Sequence, residues 1–228
     1  ITRSPCSPPP PRVPPAGGTA AGGDSIAGYD FTWLTLQLEK YGKQNFGDHF
    51  HIHQENHDII RRLLVYFLED VPQARHLGID LTKGILLTGP IGCGKTDLMT
   101  LMRLAAKPER IFTIKTIRDV SFEFIQEGYE VVHRYSKLSF NPKGPRTVFF
   151  DDLGAEQALK YYGNECNVMA EILLSRYDLY ISFDMLTHLT TNLSATEIET
   201  MYGPRVRSRM REMFNLIPFN ESSDDRRI

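Results

Sequence analysis

The sequence has very little cysteine. Cys6, Cys93 and Cys166 are widely scattered and form no C-x-x-C pair. That pattern argues against a disulfide framework or a zinc site and predicts reduced thiols. No apolar run approaches the ~20 residues needed to cross a bilayer, and no stretch has the basic start and apolar centre of a cleavable leader. Charge of one sign is lacking too: 26 Lys and Arg stand against 28 Asp and Glu, a net of -2. This argues against a general basic coat for nucleic acid and leaves room only for a local patch. There are no internal repeats. These absences predict a soluble, cytoplasmic protein with no membrane partner. A length of 228 residues suits one α/β domain with appendages.

Residues 1–23 are rich in proline, then in glycine and alanine. Such a composition buries too little apolar surface to offset ordering entropy and reads as a disordered linker, not as a ligand for an adaptor domain. The chain starts at Ile1 and not at Met, as a fragment or processed form would. Residues 24–56 read as a helical lead-in, 57–220 as the principal domain and 221–228 as a polar tail. Ile59, Ile60, Leu63, Leu64, Phe67 and Leu68 make one apolar helical face, ended by Pro72. Five strands are expected near 84–88, 111–115, 147–152, 185–192 and 213–219. Helices fall between them, including a long one at 117–135 and another at 164–179. Ser194 and Glu197 form a capping box; Gly203 stops that helix and Pro204 starts the next. The alternation predicts a parallel sheet covered on both faces.

After the first strand comes "GPIGCGKT", with Gly89, Gly94, Lys95 and Thr96 matching G-x-x-x-x-G-K-[ST]. In such a loop the backbone N–H groups curl around a β-phosphate, and the next helix adds its positive end. The lysine reaches the β/γ-phosphates and the hydroxyl ligates Mg²⁺. The candidate nucleotide-binding residues are Gly89, Pro90, Ile91, Gly92, Cys93, Gly94, Lys95, Thr96 and Asp97. "TVFFDDLG" ends a strand in two carboxylates. Asp151 would hold the magnesium through water, and Asp152 would polarise the water that attacks the γ-phosphate. Asn192, ending the fourth strand, could hold that water, although capping the Ser194 helix is the alternative use of its polar cluster. Arg205 and Arg209 share a helix face, with Val206, Met210 and Met213 on the apolar side. They read as a solvated surface, a nucleic-acid patch or an arginine supplied to a neighbour's site.

The motifs "GPIGCGKT", "VFFDDLG", "EILLSRYD", "THLTTN" and "YGPRVRSRM", in that order, resemble the DnaC/IstB-like AAA+ ATPases. These are helicase loaders and transposition helpers. The resemblance spans roughly residues 57–219. It implies an α/β P-loop NTPase fold of AAA+ type, a three-layer sandwich whose parallel five-stranded sheet has the order 5-1-4-3-2. It also implies ATP and Mg²⁺ as cofactors, Asn192 as a γ-phosphate sensor, and Arg209 as an arginine finger acting in trans, with Arg205 the second candidate. The implied partners are further copies of the chain across the ATP site, DNA in single-stranded form, and a replicative helicase or a transposase. About nine residues follow the fifth strand, so no C-terminal lid is expected. Asp152 stands where many AAA+ proteins have Glu, and its shorter arm implies slow hydrolysis. A small-molecule kinase and an ATP-dependent DNA-binding module with negligible hydrolysis are the alternatives.

Three other features read blandly. His49, His51, His53 and His57 in "HFHIHQENH" read as a surface run. Cys93 reads as small-residue packing within the loop. Phe122, Phe124, Tyr129 and Tyr135 read as core.

Overall fold

The computed structural model describes residues 25–156, 159–161 and 164–219. The expected proline-rich segment at 1–23, the tail at 221–228 and Cys6 lie outside the described residues. A lead-in helix α1 (Phe31–Phe46), capped by Asp30, lies within the expected lead-in segment. It is followed by α2 (His57–Phe67) and α3 (Val71–His76). Pro72 does not end α2; it lies in the first turn of α3, whose N-cap Asp70 accepts from the Gln73 N–H. A proline fits there because the first helical N–H groups have no intrahelical acceptor.

Strand β1 (Gly84–Thr88) leads into α4 (Lys95–Ala105), and β2 (Thr113–Thr116) into α5 (Ile117–Glu127) and α6 (Glu130–Tyr135). The expected single helix over 117–135 is broken at Gly128, whose φ of 64° and ψ of -140° suit glycine. Strand β3 (Val148–Leu153) is followed by a short hairpin that pairs 159–161 with 164–166. Next come α7 (Val168–Phe183), β4 (Thr187–Thr191), α8 (Ala195–Met213) and β5 (Phe214–Pro218). Helix α7 starts later than expected because Asn167 caps it through the Ala170 N–H. The Ser194–Glu197 capping box is present, and α8 kinks at Gly203, φ 86°, where the stop and restart were read.

The five strands are parallel, in the spatial order β5-β1-β4-β3-β2. Side chains alternate across this sheet. Ile85, Leu87, Phe149 and Ile217 join a core with α1, α2 and α4. Leu86, Val148, Phe150 and Leu189 join the opposite core, formed with α5 to α8. Both faces being covered, β1 and the first half of β3 read as unbroken apolar runs. Phe124 and Tyr135 are core, as expected. Phe122 and Tyr129 are not: they lie on the outer side of their segment and are about half exposed, at 52% and 48%.

Two buried polar side chains tie the layers together. Arg176 on α7 is fully buried and donates to the carbonyls of Tyr135, Arg146 and Leu186 and to the hydroxyls of Thr187 and Ser139. His188 on β4 is fully buried against Tyr66, Phe67 and Phe112, and its Nδ1 accepts from the Ile85 N–H at 3.0 Å. Burial, then the charges of Arg110 and Arg176, push the imidazole down to about 3. It is therefore neutral in the fold, whereas the unfolded imidazole titrates near 6.5. The stability it contributes is complete above pH 6.5 and is lost as pH falls toward 3, because the unfolded chain alone takes up the proton. The unfolding free energy of the wild type should drop below pH 6.5 with a slope approaching about 1.4 kcal/mol per pH unit relative to His188→Asn. Denaturant titrations of both proteins from pH 7 to 5 check this; parallel curves would contradict it.

Candidate nucleotide site

The loop between β1 and α4 is shaped by glycines. Gly89 (φ 152°), Gly92 (φ 80°) and Gly94 (φ 92°) all have positive φ. At Gly89 an added Cβ would also lie 2.6 Å from the Phe219 Cβ. Gly94 is the N-cap of α4 and offers no side-chain acceptor. The first N–H groups of the helix therefore keep their capacity for an anion, at the positive end of the helix dipole. The Lys95 ammonium lies within the loop, 92% shielded, donating to the Gly89 and Pro90 carbonyls at 2.8 and 2.7 Å. Its Nζ is 3.6 Å from the Cys93 Sγ, and that side chain is fully buried, in line with the packing reading.

Thr96, one residue on, donates its hydroxyl to the Asp151 carboxylate, 2.9 and 3.0 Å from its two oxygens. Asp151 also accepts from the Thr190 hydroxyl at 2.6 Å. Burial pushes the Asp151 carboxyl up, opposed by these two hydroxyls. A hydroxyl and a carboxylate held together are hard oxygen donors of the kind Mg²⁺ selects, so the side chains present fit that ion.

Asp152 projects differently. Leu189 pairs with Phe150 and Thr191 with Leu153, so β3 spends one more residue than β4 across this step. The extra residue is absorbed by a bulge in which Asp152 adopts φ 68°. Bulges commonly re-aim a side chain beside a functional site. Here the result is that Asp151 is buried while Asp152 is exposed.

Lys95, Thr96, Asp97, Asp151, Asp152, Thr190 and Asn192 line one cavity of about 500 Å³, together with Ile91, Gly92 and Gly94. Three distant stretches of sequence thus converge on one space. Neither Arg205 nor Arg209 lines it. The Arg209 guanidinium stacks 4.2 Å from the Tyr177 ring centroid and donates to the Tyr177 hydroxyl and Glu212. Arg207 pairs with Glu199. Arg205, just beyond the kink, is exposed.

The sequence reading missed a second cavity, of about 310 Å³, that meets the first at Gly94 and Asp97. Its far wall is the segment read as a bland histidine run: Phe46, His49, Phe50, His51, Ile52, His53 and Asn56. Among the described residues no metal-type cluster of three ligands forms there. The segment is brought to the loop by local contacts. Phe50 packs on Gly42, where any Cβ would come within 2.1 Å of its ring. Glu39 accepts from the Ile52 N–H and bonds His51. A glycine inside an otherwise helical stretch was the available signal, since it costs ~1 kcal/mol unless something must approach closely.

Several solved structures share this architecture. A structure of the DnaC helicase loader superposes with a TM-score of 0.53 at 20% identity, covering 76% of this chain and 95% of that one. A putative primosome component from Streptococcus pyogenes gives 0.52 at 18% identity, over 75% and 83% of the two chains. DnaI gives 0.50 at 19%, over 78% and 88%. The fold is AAA+.

No protein-family model matches the chain. The chain is also similar to the proteasome-activating nucleotidase of Pyrococcus abyssi, with 35% identity over 79 residues, or 35% of this chain and 19% of the relative. The corresponding protein of Aeropyrum pernix is 29% identical over 127 residues, 56% and 30% of the two chains. The chain thus matches less than a third of the length of these relatives.

Gly89→Ala should distort the loop in two ways, by strain at φ 152° and by the clash with Phe219. A loss of about 1–3 kcal/mol in stability is expected, the usual range for overpacking. Thermal unfolding measures it, and an unchanged midpoint would refute the close approach.

Proposed function

We propose that this chain binds and hydrolyses ATP and works as an oligomeric switch of the helicase-loader type. The observation that carries the reading is the single cavity that gathers Lys95, Thr96, Asp151, Asp152 and Asn192. In this account the phosphates sit on the loop and the α4 N-terminus, where the Lys95 ammonium exchanges the loop carbonyls for phosphate oxygens. The adjoining cavity walled by His49, Ile52 and His53 would seat the base. Thr96 and Asp151 would hold magnesium, which supplies charge neutralisation between the β- and γ-phosphates when bound. Asp152, turned outward by the bulge, would orient and polarise the attacking water, and Asn192 would report the γ-phosphate. An aspartate has a shorter reach than glutamate, so turnover would be slow. The principal domain is taken as 57–220, although α1 shares its core.

The arginine would come from a neighbouring copy. Arg209 is engaged by Tyr177 and Glu212 within its own chain. Among the described residues Arg205 has no such partner, and it extends from the start of the second half of α8. We therefore place Arg205 as the finger, with Arg209 the second candidate. The similarity in fold to a helicase-loader structure supports a replicative helicase as partner, in preference to a transposase; single-stranded DNA is the partner that the sequence resemblance implies.

Arg205→Ala should retain nucleotide but lose about 10³-fold or more in hydrolysis, the usual contribution of a finger. Arg209→Ala should lose less. Mixing Arg205→Ala with Lys95→Ala protein should recover hydrolysis at interfaces that pair an intact loop with an intact arginine. Steady-state phosphate release reads all of these, and a mixture that stays inactive would count against a shared site.

A further inference from the structure

The β3 bulge turns Asp151 and Asp152 different ways, and the contacts of Thr190 hold that bulge. Its side chain is 1% exposed and has two partners, both on β3. The hydroxyl donates to the Asp151 Oδ1 at 2.6 Å and accepts from the Asp152 backbone N–H at 2.8 Å. One oxygen thus fixes the carboxylate of the first aspartate and the backbone of the second, at the step where β3 carries its extra residue. The next residue continues the grip: the Thr191 hydroxyl donates to the Leu153 carbonyl at 2.6 Å and accepts from the Leu193 N–H at 3.1 Å.

Left-handed backbone is unfavourable for a residue with a Cβ and persists only where the surroundings hold it. The bond from the Asp152 N–H to Thr190 is such a hold. A buried carboxylate likewise needs donors on both oxygens, or its charge is uncompensated. Thr96 bridges the two oxygens, and Thr190 adds a second donor to one of them.

We infer that Thr190 is a positioning residue, whose hydroxyl locks the β3 bulge so that Asp151 faces Thr96 while Asp152 faces the cavity. The role rests on the ATP reading for its catalytic consequence. Because Thr190 lies on β4 two residues before Asn192, which directly follows the strand, it also gives a direct route by which a shift of β4 at the γ-phosphate reaches both aspartates. Valine keeps the shape of threonine and removes both bonds; serine keeps both bonds and removes a methyl group.

The test compares wild type, Thr190→Val and Thr190→Ser. Amide hydrogen exchange at Asp152, measured without nucleotide, reads the grip itself. It should be slow in wild type and in the serine variant, and about tenfold or more faster in the valine variant, as loss of a hydrogen bond worth ~1.5 kcal/mol implies. Affinity for a non-hydrolysable ATP analogue is measured with and without magnesium. The valine variant should keep the magnesium-free affinity, which depends on Lys95 and the loop, and should lose most of the gain that magnesium gives wild type. Its kcat should fall about tenfold to a hundredfold with KM little changed, and serine should restore it. Unchanged exchange, magnesium gain and kcat in Thr190→Val overturn the inference. So does a serine variant that behaves like valine, which would make packing the cause. Wild-type protein that binds no analogue would overturn the ATP reading, while the exchange at Asp152 still decides the grip.

Discussion

A carboxylate buried at the end of a parallel sheet is the constraint on which the site depends. Asp151 is 7% exposed, and water contributes little to its solvation. Burial disfavours its charge, and the hydroxyls that α4 and β4 bring to it, from Thr96 and Thr190, oppose that cost. Each of those side chains is in turn fixed by an element with its own reason to be there. Thr96 lies in the first turn of a helix whose entry is dictated by glycines at positive φ. Thr190 lies on a strand paired on both sides, with β1 and with β3. Satisfying one buried carboxylate therefore aligns the loop helix, the carboxylate strand and the strand that leads into Asn192.

The rest of the sheet serves this alignment by rigidity. Its two apolar faces resist sliding because close-packed interiors tolerate little displacement. At the opposite ends of the strands, Arg176 gathers carbonyls from the end of α6, the approach to β3 and the approach to β4. His188 fastens β4 to β1 through the Ile85 N–H. These polar anchors lie in a core that would otherwise specify register only by hydrophobic pattern, and they act on the strands that carry Asp151 and Thr190. Stability and site geometry are linked through the same strands.

Local chemistry made much of this legible in the sequence. The glycine loop, the apolar run ending in Asp151 and Asp152, the Ser194 capping box and the Gly203–Pro204 break each announce themselves within a few residues, and the structure has all of them. What stayed hidden depends on pairing or packing at a distance. The bulge at Asp152 exists only relative to β4, so no pattern within β3 displays it. His49, His51 and His53 are exposed, as read, but that their segment also walls a cavity beside the loop was hidden, because its position is set by Phe50 folding back onto Gly42. Phe122 and Tyr129 were misread as core because apolar spacing does not say which side of a helical segment meets the sheet. Pro72 was misread as an ending because a proline stops one helix or starts another with equal ease; only the Asp70 cap decides.

In the proposed reading this cavity holds ATP through Lys95 and the β1–α4 loop. Calorimetric titration of the wild-type chain and Lys95→Ala with a non-hydrolysable ATP analogue and magnesium tests it most directly. The account predicts saturable binding to the wild type and loss of that binding in the variant, with both proteins unfolding at similar temperatures. Equal binding by both, or none by a folded wild type, would contradict it.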